Sequence, residues 1–318
     1  MEIGLYEEWM KPQVARLFSI QYGVSEEEFT QLMSSFYEDT YQANRCILIT
    51  AKEGETVIGF QSFFYWPYQQ NDKTFNSFQS GNSLVHPDYR GKGIFQKLLD
   101  YVENHRKELG IDLLIGFPID ASIGSLIRNK WVNVLNIKWR IRIINLLSIF
   151  RPLNHSELLK MFPDKELFLN KPSTEFVQIE NSLEFNKWRK KLYPANRYYS
   201  FYYSEGDNEI LFKLKLNIRK KMIKELIIGN LITNTYSNDF ITNALNDLVS
   251  KAKSTGMVTL LSIAINEDAQ NSLSDCLKAT GFKKIRKEIY FCIKTFNRNE
   301  FLSEKKNWVL YRGDIDTW

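Results

Sequence analysis

Alternating and periodic hydrophobic positions predict strands and helices along the whole chain. In the first half, short apolar or alternating runs are separated by stretches with apolar residues three and four apart. The stretch 92–109 shows the helical spacing well, with Ile94, Leu98 and Val102 on one face. The predicted order is helices over 12–22 and 25–42, strands over 46–52, 56–66 and 76–86, a helix over 92–109, a strand over 112–117, a helix over 121–129 and a strand over 132–144.

A similar order of elements returns in the second half. The pattern there predicts strands over 209–216 and 224–233, a helix over 239–255, a strand over 258–265, a helix over 269–280 and a strand over 288–295. Each half thus contains a strand, a helix, a short apolar strand, a second helix and a last strand. We infer a topological repeat. A short apolar strand between two helices is typical of a buried parallel strand.

Composition narrows the class of protein without identifying it. The chain has 318 residues, of which 44% are hydrophobic and 25% are charged, as expected of a globular protein with two domains. No apolar run approaches the roughly 18 residues that span a bilayer, and the acidic start does not resemble a signal peptide. Cys46, Cys276 and Cys292 are scattered and odd in number. We therefore expect a cytoplasmic chain without disulfides, a membrane partner or a bound metal.

The charge balance is only mildly basic. A formal net charge of +5 permits an anionic ligand and does not call for nucleic acid. One local cluster is denser and consists of Lys213, Lys215, Arg219, Lys220, Lys221 and Lys224. Two interpretations stay open: the solvated face and turn of a hairpin, which the charge pattern favours, or a nucleic-acid surface. The second would more often include stacking aromatic residues, and only Phe212 lies here.

One segment carries recognisable chemistry. Residues 84–95 read Leu-Val-His-Pro-Asp-Tyr-Arg-Gly-Lys-Gly-Ile-Phe and run from a predicted strand through a glycine-containing turn into a predicted helix. Glycines let a ligand approach the backbone closely, and the first N–H groups of a helix have no partners within it. With the helix dipole, these groups suit a phosphate or pyrophosphate. A Walker A loop is excluded because Ser or Thr does not follow Gly91-Lys92.

This segment resembles the acetyl-CoA-binding motif of the GNAT acetyltransferase superfamily, whose core pattern is Q/R-x-x-G-x-G/A. Arg90 takes the first position and Gly93 the glycine, whereas Phe95 stands where Gly or Ala is usual. The resemblance implies an α/β (α+β) fold with two GNAT-like domains, each a mixed, mostly antiparallel sheet flanked by helices. The expected ranges are 1–147 for the acyl-CoA-binding domain, 148–174 for a linker, and 175–318 for a degenerate GNAT-like domain with a C-terminal tail.

The resemblance also implies residue roles around a bound acetyl-CoA. The backbone of residues 84–86 would hold the pantetheine arm, and the N–H groups of residues 90–95 would hold the pyrophosphate. The end of the strand over 112–117 and the next helix would flank the thiol end. The implied cofactor-binding residues are Leu84, Val85, His86, Arg90, Gly91, Lys92, Gly93, Ile94, Phe95, Asp120 and Ser122.

Catalytic residues are less clear from the sequence. Members of the family often use a glutamate on the strand before the motif and a tyrosine in the helix after the next strand. Here no carboxylate lies between Asn76 and Val85, and Ile127 takes the approximate place of the tyrosine. The catalytic candidates are Asn82, which can orient a water or polarise the substrate, and Tyr65, a group of the substrate pocket.

Three functional hypotheses follow. The first is an acyl-CoA-dependent N-acyltransferase that transfers acetyl from acetyl-CoA to a primary amine, such as an amino sugar or another small-molecule amine. The second is an aminoacyl-transferase that uses charged tRNA; the intact motif over residues 90–95 argues against it, since such proteins generally lose this loop. The third is a non-catalytic acyl-CoA-binding protein. The oligomeric state is left open.

Overall fold

The structure is a computed structural model that describes residues 1–71, 73–165, 175–180, 182–193, 195–296 and 299–318. Its strands are β1 Glu2–Leu5, β2 Ile47–Glu53, β3 Thr56–Tyr65, β4 Tyr68–Gln70, β5 Lys73–Phe75, β6 Ser77–Val85, β7 Leu113–Gly116, β8 Val132–Ile143, β9 Gln178–Ile179, β10 Arg197–Glu205, β11 Asn208–Arg219, β12 Ile223–Thr233, β13 Leu260–Ile265 and β14 Lys283–Thr295. Its helices are α1 Lys11–Tyr22, α2 Glu26–Phe36, α3 Ile94–Asn104, α4 Asp120–Arg128, α5 His155–Met161, α6 Leu183–Leu192, α7 Asn238–Ser254, α8 Asn271–Ala279 and α9 Glu300–Ser303. Within the described ranges, no helix is both long enough and apolar enough to cross a membrane.

The chain is divided into two compact units that are not consecutive in sequence. Unit 1 comprises residues 1–134, 179–193 and 290–303, and unit 2 comprises 135–178, 194–289 and 304–318. These boundaries differ from the ranges 1–147, 148–174 and 175–318 expected from the sequence. The reason is strand pairing: β8 pairs with β13 in unit 2, whereas the end of β14 pairs with β7 in unit 1. Local hydrophobic patterns do not reveal such long-range partners.

Unit 1 is built on a mixed sheet with helices on both faces. The strand order is β1-β2-β3-β6-β7-β14, and only the β6–β7 pair is parallel. Phe63 of β3 packs in one core with Leu98 of α3, whereas the neighbouring Phe64 contacts Phe36 of α2. Because successive strand residues face opposite sides, helices cover both faces. The α/β fold expected from the sequence is confirmed.

Two helix boundaries in unit 1 follow from local chemistry. The helix α2 begins with a capping box: the Ser25 hydroxyl accepts the Glu28 N–H at 3.2 Å, and the Glu28 carboxylate accepts the Ser25 N–H at 2.8 Å. The helix α3 begins at Ile94, two residues later than expected, because Gly93 has a φ of +73°. A left-handed residue cannot continue a right-handed helix, so the turn before α3 includes Gly93.

Unit 2 repeats the sheet pattern of unit 1. Its strand order is β8-β13-β12-β11-β10, and β12–β13 is its parallel pair. The helix α7 buries Leu245 and Leu248 in a core with Ile228 of β12 and Ile263 of β13. In both units a parallel pair of strands is flanked by antiparallel ones, and a helix connects the two parallel strands. This agrees with the topological repeat inferred from the sequence.

Part of the expected linker is folded into unit 2. Residues 155–161 form α5, and the side chains of Leu158 and Phe162 are fully buried in the core of unit 2. The remainder of the expected linker, residues 166–174, lies outside the described residues.

The basic cluster around the β11–β12 hairpin is largely occupied by internal contacts. Lys224 is buried, and its Nζ donates to the carbonyl oxygens of Ser148 and Arg151, both at 2.5 Å. Burial lowers the pKa of the Lys224 ammonium from its ordinary value. Arg219 forms an ion pair with the buried Glu225. The hairpin is confirmed, with a turn at residues 220–221, but several of its cations point inward rather than to solvent.

Residues 308–318 fill the space where β12 and β13 separate. The two strands pair only from Glu225–Leu260 to Ile228–Ile263. Beyond this point, Ile265 of β13 forms an antiparallel bridge with Tyr311. On the β12 side, Gly313 packs directly on the backbone of Gly229. The backbone of this segment therefore lies between the two strands.

Replacing Gly313 by alanine is expected to destabilise unit 2. An added Cβ would lie 2.7 Å from the carbonyl carbon of Gly229 and closer still to its oxygen, and neither backbone atom can move independently. Overpacking of this kind costs about 1–3 kcal/mol, so the urea midpoint of Gly313→Ala should fall clearly. Gly4→Ala is the matched control because its Cβ meets no atom within 4 Å. Equal midpoints for the two variants would contradict the close packing.

Candidate functional site

The parallel strands β6 and β7 are paired over a short stretch and then diverge. The strands pair at Ser77–Leu113, Phe78–Leu114 and Gln79–Ile115, and no later pair joins them in the described part of the chain. β6 continues to Val85, with β3 as its antiparallel partner on the other side. From Ser80 onward, the backbone groups of β6 that point away from β3 have no strand partner. An extended ligand can bind such an edge as an added strand.

A cleft of about 360 Å³ opens at this separation. α1 contributes its last two residues, β6 three residues near its middle, and α4 two residues of its first turns. The lining is Gln21, Tyr22, Ser80, Gly81, Ser83, Phe95, Gly116, Phe117, Pro118, Ile119, Ser122 and Leu126. Of the residues expected at the cofactor, Phe95 and Ser122 therefore line the cleft directly. Gln21 and Tyr22 were not predicted as residues of the site, because the packing of a helix end beside a distant strand leaves no local sequence signal.

The strand β6 is irregular beside the cleft. The register between β3 and β6 shifts between Gln61 and Phe63, which is typical of a β-bulge. Gly81 lies so close to β3 that an added Cβ would stand 2.7 Å from the Ser62 hydroxyl and nearer still to the ring of Phe64. The buried Gln61 bonds through its amide to the hydroxyls of Ser80 and Ser83. This network orients two hydroxyls that border the cleft.

The turn before α3 presents backbone donors at one end of the unit. Gly91 and Gly93 have φ values of +75° and +73°, and an added Cβ at either would meet no atom within 4 Å. In the described part of the chain, the N–H groups of residues 91–96 reach no backbone acceptor. Free N–H groups at a helix start, combined with left-handed turn residues, favour an oxyanion. The geometry thus suits a phosphate group.

Two cations border this turn in different ways. The Arg90 side chain is tied back, since its Nε donates to the Val85 carbonyl at 3.2 Å and its guanidinium donates to Gln21 at 2.5 Å. The Lys92 ammonium lies 4.5 Å from the ring centroid of Tyr89. Arg90 thus connects the turn to the end of α1, whereas Lys92 adds positive charge on the outer side of the turn.

Other residues implied by the resemblance occupy structural or peripheral positions. His86 caps the short 3-10 turn at 87–89, and its Nδ1 accepts the Asp88 N–H at 3.4 Å. Ser122 lines the cleft and accepts the Ile119 N–H at 3.2 Å, which fixes the start of α4. Asp120 is exposed in the first turn of α4 and is not part of the cleft lining.

Asn82 and Tyr65 lie in different surroundings. The Asn82 amide donates to the hydroxyl of Tyr37 at 2.7 Å, and this fully buried phenol donates in turn to Ser62 at 3.2 Å. Burial raises the pKa of Tyr37 well above that of a free phenol. Tyr65 instead lines a separate cavity of about 510 Å³ with Arg45, whose guanidinium lies 5.1 Å from its ring centroid. The described contacts do not bring these two residues together.

Unit 1 contains two cysteines, the partly buried Cys46 and the fully buried Cys292. Neither of them lines the cleft. Burial raises the pKa of Cys46 to about 11 and that of Cys292 to about 12. The Cys46 Sγ lies 3.6 Å from the carbonyl oxygen of Tyr37, and Cys292 is in the core of the unit. Because the thiolate is the nucleophilic form, neither residue is suited to carry a covalent intermediate near neutral pH.

Comparison with known families gives one clear match. Residues 5–125 match the model of an acetyltransferase (GNAT) domain. This range contains β6, the glycine turn, β7 and most of α4, and thus every residue of the cleft lining except Leu126. No curated protein matches the chain.

Solved structures extend the similarity to nearly the whole chain. A GCN5-related N-acetyltransferase from Anabaena variabilis has a TM-score of 0.62 at 11% identity, covering 95% of this chain and 74% of its own. A probable N-acyltransferase of unknown function from Enterococcus faecalis has a TM-score of 0.58 at 10% identity, covering 92% and 72%. Saccharomyces cerevisiae N-myristoyltransferase with bound myristoyl-CoA has a TM-score of 0.51 at 11% identity, covering 94% and 79%. At these identities the likeness concerns the fold.

The two perturbed cysteines should react slowly in the folded chain. With pKa values of about 11 and about 12, only about one Cys46 in a thousand and one Cys292 in ten thousand is a thiolate at pH 8. Alkylation followed by site-resolved mass spectrometry should show both sites labelled at least tenfold faster in denaturant than in buffer. The difference should shrink as the pH approaches 11. Rapid labelling of either native site at pH 8 would show an activated thiol and contradict this account.

Proposed function

We propose that the chain, whose residues 5–125 match the model of an acetyltransferase (GNAT) domain, is an acyl-CoA-dependent N-acyltransferase. Acetyl-CoA is the proposed acyl donor, and a primary amine is the proposed acceptor. The observation that carries the proposal is the combination of the open edge of β6 with the glycine turn before α3. The open edge of β6 accepts an extended arm that contains amide groups, and the glycine turn accepts a diphosphate.

The residues of unit 1 fit a coenzyme A molecule at this position. The pantetheine arm contains amide groups, which pair with the edge of β6 that faces away from β3 as a further strand would. Its diphosphate is the kind of oxyanion that the N–H groups of residues 91–95 favour. Arg90 supports the turn rather than offering a free guanidinium, because its donors already bind Val85 and Gln21. Lys92 supplies additional charge attraction.

Direct attack is the reaction that this cleft supports. The amine nitrogen attacks the thioester carbonyl carbon, the new N–C bond forms and the C–S bond breaks. The proton lost by the amine must be removed, and the departing thiolate must gain one. No cysteine is present among the described lining residues, so a covalent acyl-enzyme has no nucleophilic thiol there.

Tyr22 is the residue we assign as the proton donor to the thiolate. It is the phenol of the cleft lining, and it is 54% exposed at the end of α1. Asn82 is proposed to orient the acceptor, since the Tyr37 hydroxyl fixes its amide and leaves its carbonyl oxygen to accept from an amine. Tyr65 is proposed to belong to the acceptor side through the cavity that it shares with Arg45.

Acceptor identity separates the remaining hypotheses. Small-molecule amines, including amino sugars, are the proposed acceptors. The alternative use of charged tRNA loses its supporting feature, because Lys215, Arg219 and Lys224 already have internal partners. Release of free coenzyme A thiol across an amine panel tests the transferase proposal. Tight acetyl-CoA binding without release by any amine would favour the non-catalytic binding protein instead.

Gly93→Ala is expected to weaken binding of acetyl-CoA at least tenfold. A side chain at a φ of +73° is strained, so the turn should shift and misalign its N–H donors. Gly54→Ala is the matched control, because Gly54 has a φ of +58° and equally open surroundings in the β2–β3 turn. Calorimetric titration should show wild-type affinity for this control. Equal weakening in both variants would indicate a general loss of stability rather than a local effect.

Tyr22→Phe is expected to lower kcat at least tenfold with little change in KM for acetyl-CoA. The substitution removes a proton donor, an effect that is commonly about 10²–10⁴-fold, and keeps the ring that contacts Phe18. Phe18→Leu serves as the control for packing alone, and we expect it to keep most of the wild-type kcat. An unchanged kcat for Tyr22→Phe would remove Tyr22 from the mechanism.

A further inference from the structure

A 3-10 turn of unit 2 exposes several large apolar side chains. The turn covers Leu146–Phe150 and follows directly after β8. Leu147 and Phe150 are 73% and 79% exposed, more than any other large apolar residue in the part of the chain that the structure describes. Leu146 is 62% exposed, and Ile143 at the end of β8 is 58% exposed. Scattered exposed apolar residues are common on proteins, but these four lie so close together that they form a patch.

The β11–β12 hairpin extends this apolar surface. The Lys224 Nζ donates to the carbonyl oxygens of Ser148 and Arg151, so the start of β12 lies against the 3-10 turn. Ile218 is directly opposite Lys224 in the antiparallel register, and opposite residues share a face of the sheet. Ile218 is 46% exposed, and Met222 beside the hairpin turn is 51% exposed. The apolar patch consists of Ile143, Leu146, Leu147, Phe150, Ile218 and Met222.

The segments that carry and border the apolar patch are basic. Residues 142–151, 216–224 and 250–259 meet here: the hairpin contacts join the first two, and the Ile144 N–H donates to the Thr259 carbonyl at 2.9 Å. None of the three segments contains Asp or Glu. Their basic residues are Arg142, Arg151, Arg219, Lys220, Lys221, Lys224, Lys251 and Lys253.

Two of these cations are directed outward at the tip of the hairpin. Arg219 forms an ion pair with the buried Glu225, and Lys224 is used internally. Lys220 and Lys221 form the turn, with φ values of +49° and +61°, and both are exposed. Neither forms an ion pair with an acidic residue in the described ranges. The apolar patch is therefore bordered by uncompensated positive charge.

We propose that the apolar patch and these two lysines form a docking surface for a phospholipid membrane with anionic headgroups. Leu147 and Phe150 enter the boundary between headgroups and acyl chains, and Lys220 and Lys221 contact the lipid phosphates. The chain lies on such a membrane and does not span it. A membrane partner was not expected from the sequence, because the patch is assembled from separate segments and forms no long apolar run.

Two other occupants fit this surface less well. In a symmetric dimer the same surface meets its own copy, which would bring the same uncompensated lysines together. A nucleic acid offers phosphates to the lysines but no apolar environment for Leu147 and Phe150. In addition, Phe150 is the one aromatic residue of the apolar patch, whereas nucleic-acid surfaces often contain several stacking rings. A membrane with anionic lipids matches both the apolar and the basic part.

Sedimentation with lipid vesicles tests the apolar part of the surface. The full chain should bind vesicles of equal parts phosphatidylglycerol and phosphatidylcholine at least tenfold more tightly than vesicles of phosphatidylcholine alone. Leu147→Ser combined with Phe150→Ser removes the two most exposed apolar groups, so affinity for the mixed vesicles should fall at least tenfold. Ile127→Ser is the matched control, because Ile127 is an apolar residue of α4 in unit 1 that is 46% exposed. This control should bind as the wild type does.

The basic part is tested with the same mixed vesicles. Lys220→Gln combined with Lys221→Gln should lower the affinity at least tenfold and reduce its dependence on salt concentration. Lys305→Gln combined with Lys306→Gln is the matched control, because it neutralises another exposed pair of lysines in unit 2, whose ammonium groups are already held in ion pairs. Tm values measured in parallel establish that all variants are folded.

Several results would overturn the proposal. Absence of binding to the mixed vesicles, equal binding to the neutral vesicles, or full affinity in either double variant of the surface would each do so. Dimerisation of the wild type that is lost in Leu147→Ser with Phe150→Ser would identify a second copy as the occupant. Binding of duplex DNA that depends on Lys220 and Lys221 but not on Leu147 and Phe150 would assign the surface to nucleic acid. Calorimetric binding of acetyl-CoA should be the same in these variants, so the proposed function is tested separately.

Discussion

The separation of a parallel strand pair creates backbone groups that need partners, and this constraint governs both units. In unit 1, β6 and β7 part after Gln79 and Ile115; in unit 2, β12 and β13 part after Ile228 and Ile263. Buried N–H and C=O groups are rarely left unpaired in folded proteins. Unit 2 satisfies the requirement with its own residues 308–314. Unit 1 leaves a cleft, so the same strand pattern leaves backbone groups open to a ligand there.

Glycine serves the two units in different ways. Gly229 and Gly313 allow two backbone segments to touch, so a methyl group on Gly313 would displace the segment between the strands. Gly91 and Gly93 instead adopt left-handed conformations with open space around them. Gly229 and Gly313 thus close the gap between β12 and β13. Gly91 and Gly93 direct N–H groups outward at the start of α3. The contrast explains why the donors at residues 91–96 remain available to an oxyanion.

Sequence patterns predicted the helices and strands themselves better than the pairing and packing between them. The short apolar run before Gly116 and the turn at residues 90–93 can be recognised locally. Burial favours apolar residues, and a positive φ favours glycine, at the positions concerned. The partner of β8 and the position of Gln21 and Tyr22 in the cleft depend on long-range packing, so neither was foreseen. The basic cluster illustrates the same limit: composition shows a row of cations, but only the fold shows that Lys224 donates to Ser148 and Arg151.

The two cavities differ in lining although they occupy comparable places in the repeat. Both lie beside the strand that precedes a helix and beside the start of the next helix. The turn before α3 has two glycines with positive φ, whereas the loop before α7, residues 234–237, has none. Without such glycines and with residues 308–311 covering the strand edge, unit 2 cannot offer a row of backbone donors to a diphosphate. What remains is a mostly apolar space beside Leu231, Ile241 and Leu273.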